Sequence, residues 1–307
     1  MYPESKLLKV AELYYIEQNS QSHIASLLGL SSATISRMLK EALARGMVQV
    51  SIHDSVKRSG EMEHLLRERW ELDRVVIVDI SENETESLYK FLGKKTAELL
   101  PECCRGEKTL GMGCGRTIFE TLLSIDSTLS FPHLRVVPLI GGWGVEKIER
   151  DVNRLVSVIG QKWKCHFQYL LMPAVLSSPE VLKTFLSEPQ IRLTTDRWES
   201  LDIALFTIGP EIQALSYPYL RQEQMETMCL MGGVGDALGR VIDREGKELD
   251  CVFNRCLTSI PTETLKRVPL RIGVGGGRDK IRSLKAALTD KWITFLITDS
   301  ATAAQLL

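Results

Sequence analysis

The 307-residue chain has little that marks a membrane, secreted or metal-built protein. No stretch reaches the roughly 18 apolar residues of a spanning helix. The longest uncharged segment, 165–179, is broken by His166, Gln168, Pro173 and two serines. Glu4, Lys6, Lys9 and Glu12 near the N-terminus argue against a signal peptide. The seven cysteines (Cys103, Cys104, Cys114, Cys165, Cys229, Cys251, Cys256) are odd in number, irregularly spaced and contain no CxxC, and the five histidines form no HxxxH. A disulfide framework or zinc site is therefore not expected; reduced, mostly buried thiols in a cytoplasmic protein are. Charge of one sign is also missing: 38 Lys+Arg face 39 Asp+Glu, for a net of −1. Any nucleic-acid contact must then come from a local basic surface. Low-complexity segments and fixed-period repeats are absent.

What is present is ordinary for a soluble globular chain, 44% hydrophobic and 25% charged, and long enough for about two domains. The first 45 residues read as three helices, over 5–18, 21–28 and 32–44, followed by a short alternating strand at 47–52. Residues 53–60 read as a polar linker. Met62, Leu65, Leu66 and Trp70 then share one face of a helix over 61–72. From residue 74 the pattern changes. Strand-length apolar runs at 74–80, 108–113, 134–140, 166–172, 202–208, 268–275 and 292–298 alternate with helical stretches at 84–99, 116–124, 148–163, 179–187, 280–289 and 300–306. Short buried strands separated by helices predict an α/β fold with a parallel or mixed sheet covered on both faces. The expected organisation is an all-α domain over 1–54, a linker helix over 55–72 and an α/β domain over 73–307.

The most specific motif is QSHIASLLGLSSATISRMLK, residues 21–40. Ala25 is small where two helices cross, Gly29 suits a left-handed turn, and Ile35 and Met38 face back toward Ile24, Leu28 and Leu30. That spacing predicts a helix-turn-helix with Ser31 capping its second helix. On the helical wheel Ile35, Met38, Leu39 and Ala42 fall on one side, and Ala33, Ser36, Arg37 and Lys40 on the other, with Thr34 at the flank. Together with Ser32 these are the residues expected to enter a DNA groove. Gln21 is placed to hold a phosphate at a helix start, and Tyr15 is a candidate backbone contact, Tyr14 fitting the core better. Over 21–50, Arg37, Lys40 and Arg45 stand against Glu41 alone. One such unit should bind weakly, so several units on an oligomer are expected to act on double-stranded operator DNA together.

Four glycine-containing segments follow expected strands: 111–117 (GMGCGRT), 141–144 (GGWG), 232–236 (GGVGD) and 275–280 (GGGRDK). Beyond the C-terminal ends of parallel strands, glycines let backbone N–H groups approach a phosphate. Thr117 adds a hydroxyl, Lys280 a positive charge, and Asp236 an acceptor for sugar hydroxyls. A dinucleotide fits less well. The first segment lacks the third glycine of GxGxxG, no acidic residue follows at the required distance, and GxxxxGK[ST] is absent. A phosphorylated sugar, or a similar small polar anion, is the expected ligand, with no cofactor.

These segments, together with VVPLIGG, DIALFTIG, GGVGDALGRVIDREGKEL, VPLRIGVGGGRDKIRSLKAAL and FLITDSATAAQLL, make the chain resemble the SorC family of bacterial transcriptional regulators over essentially its whole length. The resemblance implies a helix-turn-helix followed by a sugar-binding domain similar in fold to ribose-phosphate isomerases and sugar-phosphate deaminases. It also implies homotetramers built as dimers of dimers, and an effector that alters DNA affinity. Carried onto this sequence, it places Gly113, Gly115 and Thr117 beside the ligand, Gly141 and Gly142 on the phosphate through their main chain, Asp236 on sugar hydroxyls, and Lys280 on the phosphate or a ligand oxygen. Where some members carry a Schiff-base lysine this chain has Ile140, which argues against covalent capture. Trp143 is bulky enough to narrow the pocket, and 172–174 (MPA) and Pro210 also depart from the family pattern. The alternative is a sugar-phosphate isomerase or deaminase-like enzyme with Asp236 as base. No second acid/base residue falls in a matching segment, and a catalyst has no use for a DNA-reading helix.

Overall fold

The computed structural model describes residues 2–17, 19–48, 55–80, 87–144, 150–215 and 220–307. It separates into two compact units, Met1–Asp54 and Ser55–Leu307. In the smaller unit, helix α1 (Glu4–Ala11) runs into a π-helical turn, Glu12–Ile16, and is followed by α2 (Gln21–Leu28) and α3 (Ser32–Ala44). Leu7, Val10, Leu13, Ile24, Ala25, Ile35, Met38, Leu39 and Ala42 form its core. Gly29 ends α2 in the left-handed conformation (φ 64°), where a side chain would be strained. Two expected core members differ: Leu28 and Leu30 flank this turn and are 37% and 39% exposed. The expected strand lies, from residue 49, outside the described residues; Met47 and Val48 are not strand and pack on the core instead.

The larger unit begins with α4 (Ser55–Trp70), so the helix read as a connector packs within it. Met62 and Leu66 are buried there; Leu65, expected beside them, is 53% exposed. The sheet strands are β1 (Arg74–Val78), β2 (Lys108–Met112), β3 (Leu134–Pro138), β4 (His166–Phe167), β5 (Ile203–Glu211), β6 (Gly233–Ala237), β7 (Arg240–Asp243), β8 (Leu270–Val274) and β9 (Phe295–Asp299). Their order is β1-β9-β8-β5-β2-β3-β4, all parallel, with the antiparallel hairpin β6–β7 attached to the end of β5. The helices are α5 (Leu88–Cys103), α6 (Arg116–Ser124), α7 (Val152–Trp163), α8 (Pro179–Ser187), α9 (Pro189–Thr195), α10 (Gln222–Leu230), α11 (Val252–Arg255), α12 (Thr262–Arg267), α13 (Ile281–Thr289) and α14 (Ser300–Leu306).

Alternation along β5 sorts the core into layers. Ile203 and Leu205 join the cluster that contains residues of α5, α6 and α7; Ala204, Phe206 and Ile208 join the one that contains residues of α4, α13 and α14. Both faces are apolar, which is why the strands read as unbroken hydrophobic runs. The segment 232–236, expected as a strand-to-helix turn, is instead largely strand β6. Its glycines admit close neighbours: a Cβ on Gly235 would overlap Ser283 of α13. The expected strand over 166–172 shortens to two residues at the sheet edge.

The α5–α6 crossing depends on Gly93, where a Cβ would lie 2.8 Å from the backbone of Glu120 and Thr121. Backbone cannot swing aside as a side chain can. Gly93→Ala is therefore expected to lower stability by about 1–3 kcal/mol, read as a lower urea midpoint with an unchanged slope.

Candidate functional site

The parallel strands β2, β5 and β8 point their C-terminal ends at a cavity of about 450 Å³. Such a crevice is where open α/β sheets hold ligands. Its lining includes Cys114, Gly115, Arg116 and Thr117 from the start of α6, Thr207, Gly209 and Pro210 from β5, Asp236, Leu238 and Gly239 from the hairpin, and Lys280 before α13. Tyr89, Ile140, Trp143, Arg150 and Asp151 complete much of the wall. Three cationic side chains, Arg116, Arg150 and Lys280, thus face two acidic ones, Asp151 and Asp236.

The cations are arranged around Tyr89. The Arg116 guanidinium lies 4.6 Å from the ring centroid and the Lys280 ammonium 5.7 Å from it. Lys280 is only 6% exposed, and its Nζ donates to the Ile208 carbonyl at 2.8 Å. Burial pulls its pKa below the usual lysine range, against the opposing pull of Asp279 and Asp236. Burial likewise raises the Tyr89 phenol. It pushes the Cys114 thiol up to about 12, so that sulfur is no nucleophile at neutral pH. The N-terminus of α6 begins at Gly115 with no side chain capping it, and its first N–H groups are open to an anion. Arg116 Nε is buried and makes no hydrogen bond among the described residues.

Gly115, Thr117, Asp236 and Lys280, expected at the ligand, come together in this cavity. Gly113, Gly141 and Gly142 are not among its lining residues. The Gly113 N–H donates to Leu205 O at 2.8 Å, and a Cβ there would press on Leu238 and Phe206. The expected phosphate donors Gly141 and Gly142 spend their N–H groups on Thr258 O and Met172 O, both at 2.9 Å. They are small for packing reasons: a Cβ would meet Pro173 O at Gly141, and Asp151 Oδ2 at 2.9 Å at Gly142. Asp236 is 2% exposed, and its Oδ2 accepts the Gly239 N–H at 3.0 Å, which fixes the hairpin turn. Sequence reasoning missed Tyr89, Arg116, Arg150 and Thr207. Two had a signal: Arg116 lies in the glycine segment 111–117 at the first position of α6, and Thr207 lies in DIALFTIG; Tyr89 and Arg150 lie outside any motif. Trp143 and Ile140 do line the cavity, where a Cβ on Gly239 would stand 3.1 Å and 3.0 Å from them. Among the described residues there is no group of three or more His, Cys, Asp and Glu placed to hold a metal. No helix among them is long and apolar enough to cross a membrane.

In the smaller unit Ser31 caps α3, its Oγ accepting from Thr34 N at 3.1 Å. Thr34 Oγ1 shares a hydrogen bond with the same hydroxyl, which ties that side chain to the cap. Ser32, Ala33, Arg37 and Lys40 are exposed, and Thr34 and Ser36 half-buried, along one side of α3. Gln21 is half-buried at the first position of α2, where Ser20 already accepts the His23 N–H at 3.2 Å. Tyr15 is 38% exposed in the π-helical turn, edge-on to Tyr14 with ring centroids 4.9 Å apart. Glu41 pairs with Arg45 one turn on, so its charge is offset locally.

Comparison with known proteins places this geometry. Residues 54–307 match the family model described as a putative sugar-binding domain. The chain is 28% identical over 315 residues to the transcriptional regulator LsrR of Escherichia coli O139:H28, covering 100% of this chain and 96% of that protein. It is 26% identical over 305 residues to the sorbitol operon regulator of Klebsiella pneumoniae, covering 98% and 97%. The crystal structure of full-length SorC, the sorbitol operon regulator of Klebsiella pneumoniae, shares the fold with a TM-score of 0.75 at 24% identity over 98% of both chains. The chain thus belongs to the putative sugar-binding domain family and, with it, to the SorC family of transcriptional regulators.

Proposed function

We propose that the chain is a sequence-specific DNA-binding transcriptional regulator of carbohydrate metabolism, whose affinity for operator DNA is set by a phosphorylated sugar held in the cavity. Residues 1–54 would read the DNA, through Arg37, Lys40, Ser36, Ala33 and Ser32 in the major groove and Gln21, Thr34 and Tyr15 at the backbone. Residues 73–307 would hold the effector and join subunits into a homo-oligomer, a dimer of dimers. The observation that carries the reading is the charge layout of the cavity. An uncapped helix start, Arg116, Arg150 and Lys280 offer an anion several donors, while Asp236 and Asp151 offer hydroxyls their acceptors. The phosphate is assigned to the start of α6, through Gly115, Arg116 and Thr117, rather than to the engaged amides of Gly141 and Gly142. Regulation rather than catalysis is favoured by the names of the relatives and by the fixing of Asp236 within its own turn.

The test runs in two stages. Thermal shift with ribose 5-phosphate, glucose 6-phosphate, fructose 6-phosphate and inorganic phosphate should reveal a sugar phosphate that raises the melting temperature above the effect of phosphate alone. A duplex selected by the protein from a random-sequence library should then change affinity when that compound is added. If no compound stabilises the protein, or if no sequence is enriched, the reading fails.

Arg116→Ala should weaken effector binding by about 1.5–3 kcal/mol, tenfold or more, if it makes a charge-assisted bond to the phosphate, measured by calorimetry; operator affinity without effector should stay as in the wild type. Lys280→Met should bind the selected duplex yet lose the response to the sugar phosphate; a full response would remove Lys280 from the ligand. Arg37→Ala should cost about 1–3 kcal/mol in operator affinity and relax base preference at one position. Unchanged selection by that variant would take Arg37 out of the groove.

A further inference from the structure

Among the motifs of the larger unit, the segment FLITDSATAAQLL is the one with no residue in the cavity lining. Its placement assigns it a task. Asp299, at the end of β9, caps α14: its Oδ1 accepts Thr302 N at 2.9 Å and its Oδ2 accepts Thr302 Oγ1 at 2.6 Å. Both side chains also reach out of their own element. The Gly277 N–H donates to Thr302 Oγ1 at 2.8 Å and to Asp299 Oδ2 at 3.1 Å. Gly277 ends the glycine triplet, holds φ at 104°, and accepts the Lys280 N–H at 3.1 Å. Its neighbour Gly276 packs so closely on Asp299 that a Cβ would overlap the carboxylate. Asp299 and Thr302 are 6% and 2% exposed, so the contact is buried and geometrically fixed. The loop that carries Lys280 into the cavity therefore rests on the first turn of α14.

The other end of α14 rests on α4. Trp70 Nε1 donates to Leu306 O at 3.1 Å, and Ala303 and Leu306, both fully buried, share a core cluster with Met62 and Leu66 of α4. Glu63 of α4 in turn accepts the Ile77 N–H of β1 at 2.8 Å. In the chain, α4 is the element that follows the smaller unit. One short helix thus touches the loop bearing a ligand cation at its start and the first helix of the larger unit at its end.

We propose that α14 is a coupling strut: Asp299 and Thr302 position the Gly277–Lys280 loop, and a shift of that loop on effector binding is passed through α14 and Trp70 to α4, and so to the DNA-reading unit. The inference rests on the function proposed above. It adds the route, and it names positioning residues that touch neither effector nor DNA. Allostery is a coupling free energy between two sites, and it requires an element whose placement both sites bias. A doubly anchored helix of two turns, buried along the side that carries Thr302, Ala303 and Leu306, meets that requirement because it moves as a body.

The experiment measures the ratio of operator affinities without and with the stabilising sugar phosphate, in the full chain, for wild type, Trp70→Phe, Thr302→Val and Thr302→Ser. Trp70→Phe keeps a ring and removes the donor to Leu306. It should leave effector affinity and effector-free operator affinity within about twofold, while the ratio falls to about a third of the wild-type value or less. Thr302→Val, which removes the hydroxyl under Gly277, should lower the ratio likewise, and Thr302→Ser, which keeps it, should restore the ratio. A merely structural role would lower the melting temperature of all three variants without separating valine from serine in the ratio. If Trp70→Phe or Thr302→Val keeps the full wild-type ratio, the strut is overturned and the proposed function stands. A wild-type chain whose operator affinity no sugar phosphate changes overturns that function, and the strut with it.

Discussion

A buried ammonium group is the constraint around which the larger unit is arranged. Taking a lysine charge out of water costs several kcal/mol unless partners replace the lost hydration. Lys280 has one such partner in the Ile208 carbonyl. That carbonyl is available because β5 changes partners at this point. Its parallel register with β8 ends at Thr207, and from Ile208 it pairs antiparallel with β6, with an irregularity between Ile208 and Glu211. Pro210, which has no N–H to contribute, sits within the irregularity, where a strand tolerates it. The same departure brings Asp236 against Gly209, which has no side chain to stand in its way. Cavity, buried cation and buried carboxylate are thus consequences of one strand leaving its sheet. Among the described residues the ammonium has a single hydrogen-bond acceptor, and its remaining donors are what a ligand oxygen can use.

The fold was largely legible because its signals are redundant. Seven runs of apolar residues marked the parallel strands, and α2, α3, α6, α8 and α14 have the limits that periodicity and capping residues set. The hairpin β6–β7 was not legible. Its sequence, GVGDALGR, has the glycine content of a loop, and its pairing with β5 depends on a strand distant in sequence. Glycine favours turns in isolation, but here Gly235 is required by the approach of Ser283, a tertiary demand that overrides local propensity. Leu28, Leu30 and Leu65 erred the other way: the wheel counts an apolar side chain as inward even where no neighbour covers it.

The site was legible in part, and the division follows chemistry. Thr117, Asp236 and Lys280 are polar residues inside otherwise apolar or glycine-rich segments, and such residues need a reason. Gly141 and Gly142 were misread because a glycine pair serves two purposes that sequence does not separate, exposing amides or making room. Here the room is taken by Pro173 O and Asp151, and the amides close bonds to Thr258 and Met172. Arg150 and Tyr89 come from segments with no local signature. Only the folding of α5 and the loop before α7 against the strand ends brings them to the cavity.

The charge of the smaller unit bears on how such a cavity can govern DNA. With Arg45 engaged by Glu41, α3 offers Arg37 and Lys40 as its exposed cations. Neutralising about two phosphates gives a salt dependence of order −2 in log affinity against log salt, far from what holds a regulator on its site alone. Affinity in the proposed assembly must come from several units engaging together, and then it depends steeply on their spacing. That makes modest effector coupling sufficient. A change of about 1–3 kcal/mol between two arrangements need not break any contact within one unit; it need only make simultaneous engagement less favourable. Weak single units are therefore an asset in a regulator of this design, because an assembly of tightly binding units would not let go for a ligand of this size.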